Sequence, residues 1–371
     1  MKFVHIGDIH LGKTLHQYNL IDNQRDLLMQ VLSYMDDNDI RLLLIAGDVY
    51  DRSTPSQEAV NLLDEFLTEA ILNYNIKVLM ISGNHDNNDR LNFASALLRK
   101  KGLYIETYLK KEMEYVEIED TRFYLLPYFK PGQVRALFDN DVKTYDEAMQ
   151  YYLSNQNIDK NYKNVLITHQ FIGGSSLTSE SEVLLSVGGS EIIGVEHFDD
   201  FDYVALGHLH APQSVFRDTI RYSGSLMRYS FDEVNQNKSI TVVDTDDFSI
   251  NLHELTHKQN VCFYKGTFEQ FLDHHFIERK NDLLSFELEN QSLVPHAIDQ
   301  LRILYPHLLT ITYSFLFDKE RFETNLTHIE QMSHEELYVS FYKEMTNNDL
   351  NEEQLEIVKE ILEKVGEKYE N

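Results

Sequence analysis

Over its first two thirds the chain alternates short, mostly apolar runs with stretches of helical spacing. Phe3-Val4-His5-Ile6, Leu42-Leu43-Leu44-Ile45-Ala46 and Lys77-Val78-Leu79-Met80-Ile81 each have the length of one strand, and they lack the strict apolar–polar alternation of a half-exposed one. Between the first two, residues 23–36 place Leu27, Leu28, Val31, Leu32 and Met35 at helical intervals. Between the second and third, residues 56–71 predict an amphipathic helix with Val60, Leu63, Phe66, Leu67 and Ala70 inward, and Ser53, Thr54 and Pro55 supply start signals. Further strands are expected at 123–126, 165–168, 203–206 and 239–243. Strands that bury both faces and alternate with helices imply a layered α/β core, αββα or αβα.

The pattern changes near residues 255–270. Only one of the 15 glycines, Gly366, lies beyond Gly266. The later chain is acidic and reads as a strand at 282–289, a helix at 296–304 and a strand at 309–315, a small β-α-β unit. Two helices follow. The first, 333–345, opens with Ser333-His334-Glu335-Glu336, a capping-box-like start, and carries a stripe of Leu337, Phe341, Tyr342 and Met345. The second, 352–365, carries Leu355, Val358, Ile361, Leu362 and Val365 and ends at Gly366. Such a C-terminal helical hairpin has too little chain for its own core and calls for a partner surface. The expected division is 1–260, 261–330 and 331–371.

Composition narrows the function classes. The formal net charge is −28, so bulk charge opposes binding to a polyanion, and a nucleic-acid function would need metal ions or a partner to supply positive charge. The single cysteine, Cys262, excludes an intramolecular disulfide and a cysteine-based zinc site, in keeping with a reduced, cytoplasmic setting. The first eight residues already contain Lys2 and Asp8, unlike a signal peptide, and no apolar run has the length of a membrane span.

The candidate chemistry follows the strands. They are succeeded in turn by Gly7-Asp8-Ile9-His10, Gly47-Asp48, Gly83-Asn84-His85-Asp86, His169, and Gly207-His208-Leu209-His210. In open α/β sheets ligands bind beyond the carboxyl ends of the strands, so five distant segments can deliver donors to one crevice. Asp8, His10, Asp48, Asn84, His169, His208 and His210 form a mixed nitrogen–oxygen set suited to manganese, iron or zinc. Seven donors exceed one ion's needs and suit two, provided that Asp48 bridges. Two ions ~3.5–4 Å apart clamp the attacking and leaving oxygens of an in-line phosphoryl displacement.

This series of motifs resembles the calcineurin-like metallophosphoesterase superfamily in full. Gly7 to Lys13, Gly47 to Ser56 and Ile220-Arg221-Tyr222-Ser223-Gly224-Ser225 resemble its bacterial DNA-repair nuclease branch. The resemblance implies a layered αββα core, with the β-α-β unit as a small capping domain beside the site. It implies Asp8, His10, Asp48 and His210 on one ion, and Asp48, Asn84, His169 and His208 on the other, most commonly manganese. His85 would contact the scissile phosphate or protonate the leaving oxygen, and Asp86 would orient His85. Some relatives outside bacteria carry a histidine where this chain has Asp51, which is given no catalytic role. Also implied are 3′→5′ exonuclease action on duplex ends, single-strand and hairpin endonuclease action, dimers, and an SMC-like ATPase subunit bound by the C-terminal helices. Lys13 and Arg90 are candidate phosphate contacts; as solvated helix or loop positions they would need no function. Two rival functions share the motifs: a small-molecule or cyclic-nucleotide phosphodiesterase or phosphatase on the same metal site, and a non-catalytic scaffold that keeps the fold.

Overall fold

The computed structural model describes residues 1–176, 191–273 and 277–317, with short pieces at 338–339, 342–343, 350–351 and 354–358. The expected C-terminal hairpin and the expected 331–371 region therefore lie largely outside the described residues.

Strands are numbered in chain order: β1 (Lys2–Ile6), β2 (Thr14–Leu15), β3 (Tyr18–Asn19), β4 (Leu42–Ala46), β5 (Lys77–Ile81), β6 (Leu103–Glu106), β7 (Glu114–Ile118), β8 (Thr121–Leu126), β9 (Lys163–His169), β10 (Tyr203–Gly207), β11 (Gln213–Val215), β12 (Arg217–Tyr222), β13 (Ser239–Asp244) and β14 (Ile250–Glu254). Apart from the small β2–β3 hairpin they form two six-stranded sheets, ordered β14-β13-β1-β4-β5-β6 and β11-β12-β10-β9-β8-β7. The centres are parallel: β1, β4, β5 and β6 in one sheet, β8, β9, β10 and β12 in the other.

The period of two along each strand builds the layers. Leu42 and Leu44 of β4, Val165 and Ile167 of β9, and Tyr203 and Ala205 of β10 meet in one core between the sheets. Leu43 and Ile45 point the other way, onto helices α1 (Ile21–Asp37) and α2 (Gln57–Thr68). Leu166, Val204 and Leu206 point outward onto Val134, Met149 and Tyr152 of two helices, Pro131–Phe138 and Tyr145–Ser154. The result is an αββα sandwich, one of the two layerings that the strand pattern allows and the one that the family resemblance implies.

The expected stripe on α2 needs one correction. Ser56 caps the helix, its hydroxyl accepting from the Ala59 N–H at 3.2 Å. The inward face is Ala59, Leu62, Leu63 and Phe66, and Val60 points to solvent, 41% exposed. A regular α-helix turns 100° per residue, and the burial of Ala59 and Leu62 rotates Val60 out of the stripe.

Strands β15 (Val261–Gly266), β16 (Leu283–Leu288) and β17 (Leu308–Tyr313) make a third, all-parallel sheet. The short helix Ala297–Arg302 links β16 to β17. Phe271 stacks on Phe286, with centroids 4.0 Å apart, and Tyr305 meets Phe286 edge-on within this sheet's own core. Val261 and Leu283 pack instead into the α1–α2 layer, joining this unit to the first sheet.

Candidate metal centre

Seven donors, with His85 beside them, converge where the carboxyl ends of both central sheets meet. The first sheet delivers Asp8 and His10 after β1, Asp48 after β4, and Asn84 and His85 after β5. The second delivers His169 at the end of β9, and His208 and His210 after β10. Gly47 and Gly207 make the approach possible. A Cβ on Gly207 would overlap the Ala46 carbonyl oxygen, and one on Gly47, whose φ is +85°, would lie 2.6 Å from His169 Nδ1. The loops after β1 and β4 continue to bond past their strands, His10 N–H to the Asp48 carbonyl and Leu11 N–H to that of Val49, both at 2.9 Å.

Two clusters form around Asp48. In one, Asn84 Oδ1 lies 3.1 Å from His169 Nε2 and 3.0 Å from His208 Nδ1, the two ring nitrogens are 3.3 Å apart, and Asp48 Oδ2 is 3.4 Å from His169 Nε2. In the other, His10 Nε2 is 3.1 Å from His210 Nε2 and 3.6 Å from Asp48 Oδ2. Asp8 Oδ1 accepts from the His208 N–H at 2.9 Å, and Asp8 Oδ2 is buried without a hydrogen-bond partner among the described residues.

The tautomers fit cation binding. His169 Nδ1 donates to the Ala46 carbonyl at 2.8 Å, and His210 Nδ1 donates to Glu233 Oε1 at 2.9 Å. Each ring thereby turns an Nε2 lone pair toward neighbours that are also acceptors. Acceptors crowded to within 3.0–3.6 Å of one another, with an orphaned carboxylate oxygen beside them, are stable around cations and costly without them. Asp8, His10 and His210 form one group of suitable ligand atoms, and Asp8, Asp48 and His169 another. A third group, His10, Asp51 and His85, shares His10 with the first, and the Lys13 ammonium lies 2.9 Å from Asp51 Oδ1, so a separate ion there is disfavoured.

Electrostatics point the same way. Burial pushes Asp8 up to about 7 despite the nearby imidazoles. Burial also works to raise Asp48, yet the His169, His10 and His85 rings hold it well below the usual carboxylate range. His169 is opposed by burial but raised to about 9 by the Asp48 charge. Burial, reinforced by His169, lowers His208 to about 3, and burial lowers His10 well below its ordinary value. In the ion-free chain the buried Asp48 charge is therefore balanced by a proton held on His169, the proton that a divalent ion would displace.

His85 sits at the mouth, about two-fifths exposed. Its backbone N–H donates to Asp48 Oδ1 at 2.9 Å, its Nδ1 donates to the Asp51 carbonyl at 2.9 Å, and its Nε2 lies 4.0 Å from Asp48 Oδ2. The expectation that Asp86 orients this ring is corrected. Its carboxylate accepts instead from the amides of Gly83, Val49 and Tyr50 at 2.9–3.1 Å, tying the turn after β5 to the loop after β4. Ring orientation falls to the Asp51 carbonyl. Beside His85 a surface groove of about 570 Å³ is lined by Lys13, Asp51, Arg52, Ser53 and Asn84 as well. Lys13 therefore stands at the groove, ion-paired to Asp51. Arg90 is exposed on a short helix after the turn, outside the groove lining.

Several supporting residues carry no sequence signal. Gln24, buried on α1, donates to the Ile9 and His10 carbonyls at 3.0 and 2.8 Å and accepts from the Gly12 N–H. The Tyr229 ring lies edge-on to both His10 and His210. Glu233 and Lys238 lie behind His210. A polar residue within an amphipathic helix, or an acid in a short loop turn, has no periodicity that could have marked it.

Two sheets back to back, with carboxylates and imidazoles gathered at their shared edge, describe a metallophosphoesterase, and the calcineurin-like phosphoesterase family model matches residues 1–212. The chain belongs to that family, whose chemistry is metal-dependent phosphoester hydrolysis. Over 372 aligned positions it is 35% identical to the SbcD subunit of the nuclease SbcCD of Staphylococcus epidermidis, with 98% of each chain covered. Among solved structures, a protein of Thermus thermophilus aligns over 68% of this chain and 98% of its own, at 8% identity and a TM-score of 0.41. A dimetal phosphatase from Danio rerio aligns over 65% and 91%, at 11% identity and a TM-score of 0.37. Among the described residues no helix is long and apolar enough to cross a membrane.

Proposed function

We propose that this chain is the nuclease subunit of an SbcCD-type DNA-repair complex. It holds two Mn2+ ions, cuts duplex ends 3′→5′ and opens single-stranded and hairpin DNA. In this reading Asp8, His10, Asp48 and His210 hold one ion, and Asp48, Asn84, His169 and His208 the other. The observation that carries the proposal is the convergence of all seven donors at one sheet edge, in a chain 35% identical end to end to an SbcD nuclease.

Divalent ions supply the charge that neutralises a phosphodiester and the acidity that makes water a nucleophile near neutral pH. The protein's part is geometric. Asp48 presents one oxygen to the donor cluster while the other holds the His85 loop. His85 keeps its Nδ1 on the Asp51 carbonyl, so Nε2 is the atom left to stabilise the oxyanion or give a proton to the departing 3′ oxygen. Lys13 and Arg52 line the groove that leads to His85 and offer charge to a flanking phosphate.

The net charge of −28 favours a division of labour in which an SbcC-type ATPase subunit grips the DNA. A homodimer within a heterotetramer, working in the cytoplasm at the nucleoid, completes the proposal. Phe93 and Leu97, 82% and 70% exposed, are suited to such pairing. The decisive experiment compares cleavage of end-labelled hairpin DNA with hydrolysis of a small chromogenic phosphodiester, with and without Mn2+, ATP and the ATPase subunit. Hairpin opening that needs Mn2+ and responds to the partner is expected. Chromogen turnover with no action on DNA would favour a small-molecule phosphodiesterase instead.

A further inference from the structure

Behind the metal centre lies a buried ion pair that the motif pattern does not include. Lys238 Nζ sits 2.8 Å from Glu233 Oε2, and both side chains are 1% exposed. Burying two charges costs several kcal/mol before any attraction is counted, so such a pair persists where the surroundings fix it. Here they do. The Lys238 ammonium donates to the His210 carbonyl and Ser225 Oγ, each at 2.8 Å, and to Gln236 Oε1 at 2.5 Å. Glu233 Oε2 also accepts from the Tyr229 N–H at 3.2 Å. The other Glu233 oxygen accepts from His210 Nδ1 at 2.9 Å.

We infer that Glu233 and Lys238 form a positioning clamp for His210, gripping its ring through Nδ1 and its backbone through the carbonyl, so that Nε2 faces the ion shared with Asp8 and His10. The inference rests on the two-ion reading above. A carboxylate behind a ligating imidazole fixes its tautomer and increases its basicity. The two ion positions are then supported unequally. Behind Nδ1 of His169, on the other cluster, stands the neutral Ala46 carbonyl, with no carboxylate there among the described residues. Lys238 in turn holds the second Glu233 oxygen at 2.8 Å, so the carboxylate is fixed in the orientation that faces His210 Nδ1.

The test is a Mn2+ titration by calorimetry on the chelator-stripped full chain, with thermal unfolding recorded for every variant. Glu233→Gln combined with Lys238→Met removes both charges while nearly preserving shape, which guards against a stranded buried charge. The expected result is one Mn2+ bound about 10- to 100-fold more weakly, the second unchanged. Adding the pair to His210→Ala should cost nothing further, because the clamp acts through that ring. Glu233→Ala, if folded, should weaken the same ion at least as much. Unchanged affinity for both ions in a folded variant, or losses that add to those of His210→Ala, would overturn the clamp. Fewer than two Mn2+ ions on the wild-type chain would defeat the two-ion reading by itself; the clamp would then stand or fall on whether the remaining ion weakens in the variant.

Discussion

One carboxylate links Asp48 to His85. Oδ1 of Asp48 accepts the His85 backbone N–H at 2.9 Å, and Oδ2 of the same group faces His169 and His10 at 3.4 and 3.6 Å. Donor cluster and candidate acid are thus set by a single side chain. Asp48→Asn keeps an oxygen for the His85 amide and loses the charge, whereas Asp48→Ala loses both. Metal analysis should find both variants depleted and phosphodiester cleavage down by at least ~100-fold. Hydrogen exchange should separate them, with faster exchange over residues 83–86 in Asp48→Ala alone.

His85→Ala should retain its metal content and lose ~10²–10⁴ in cleavage rate, the usual worth of a positioned acid or base. Its ring bonds a backbone carbonyl and stands outside both donor clusters. Metal analysis beside a rate measurement checks this; a wild-type rate would remove His85 from the chemistry.

Gly207→Ala should destabilise the fold by about 1–3 kcal/mol, the cost of overpacking, and disturb His169 at the same time. The new methyl group would collide with the Ala46 carbonyl and press on His169 Nδ1 at 2.7 Å. Gly132→Ala is the control, because the nearest neighbour there is the end of the Arg135 side chain at 3.4 Å. Denaturant midpoints should fall for the first and stay within about 1 kcal/mol for the second.

His5 predicts an acid-sensitive step. Its ring is buried between the sheets with Nδ1 3.0 Å from the Tyr203 hydroxyl, and burial, aided by the Arg221 charge, lowers it to about 3. The unfolded chain takes up this proton near pH 6.5 and the folded chain only near 3. Stability from this group is therefore complete above about pH 6.5 and is lost as pH falls toward 3, with a slope of at most about 1.4 kcal/mol per unit. Denaturant unfolding of chelator-stripped protein at about pH 7 and about pH 5 should show a smaller difference for His5→Gln than for wild type.

Stripping the divalent ions should lower the melting temperature, since it leaves Asp8 Oδ2 buried and unpartnered. Re-addition of Mn2+ should restore it in a concentration-dependent way, and the Asp48→Asn variant should fail to respond.

The layer architecture was legible because strands buried on both faces announce themselves as short apolar runs, and the donors because each follows such a run directly. What the sequence hid was produced by tertiary approach. Val60 reads as inward by its apolar character, but the phase of α2 is chosen by Ala59 and Leu62 against α1. Asp86 adjoins His85 in the chain, yet its carboxylate turns to three amides, and Asp51, from another loop, reaches the ring through its carbonyl. Gln24, Tyr229 and Glu233 act from segments whose proximity no spacing encodes.

Asp8, His10, Asp48 and His208 all have positive φ, between +47° and +111°, in a region where side chains other than glycine's carry a backbone penalty of order 1–3 kcal/mol each. A chain that gave up its cations and its chemistry could relax these four residues and become sturdier. His10→Gly, which removes the strain without removing a carboxylate that holds a loop amide, should ease folding of the metal-free protein and abolish turnover once Mn2+ is restored, so robustness and catalysis pull this crevice in opposite directions.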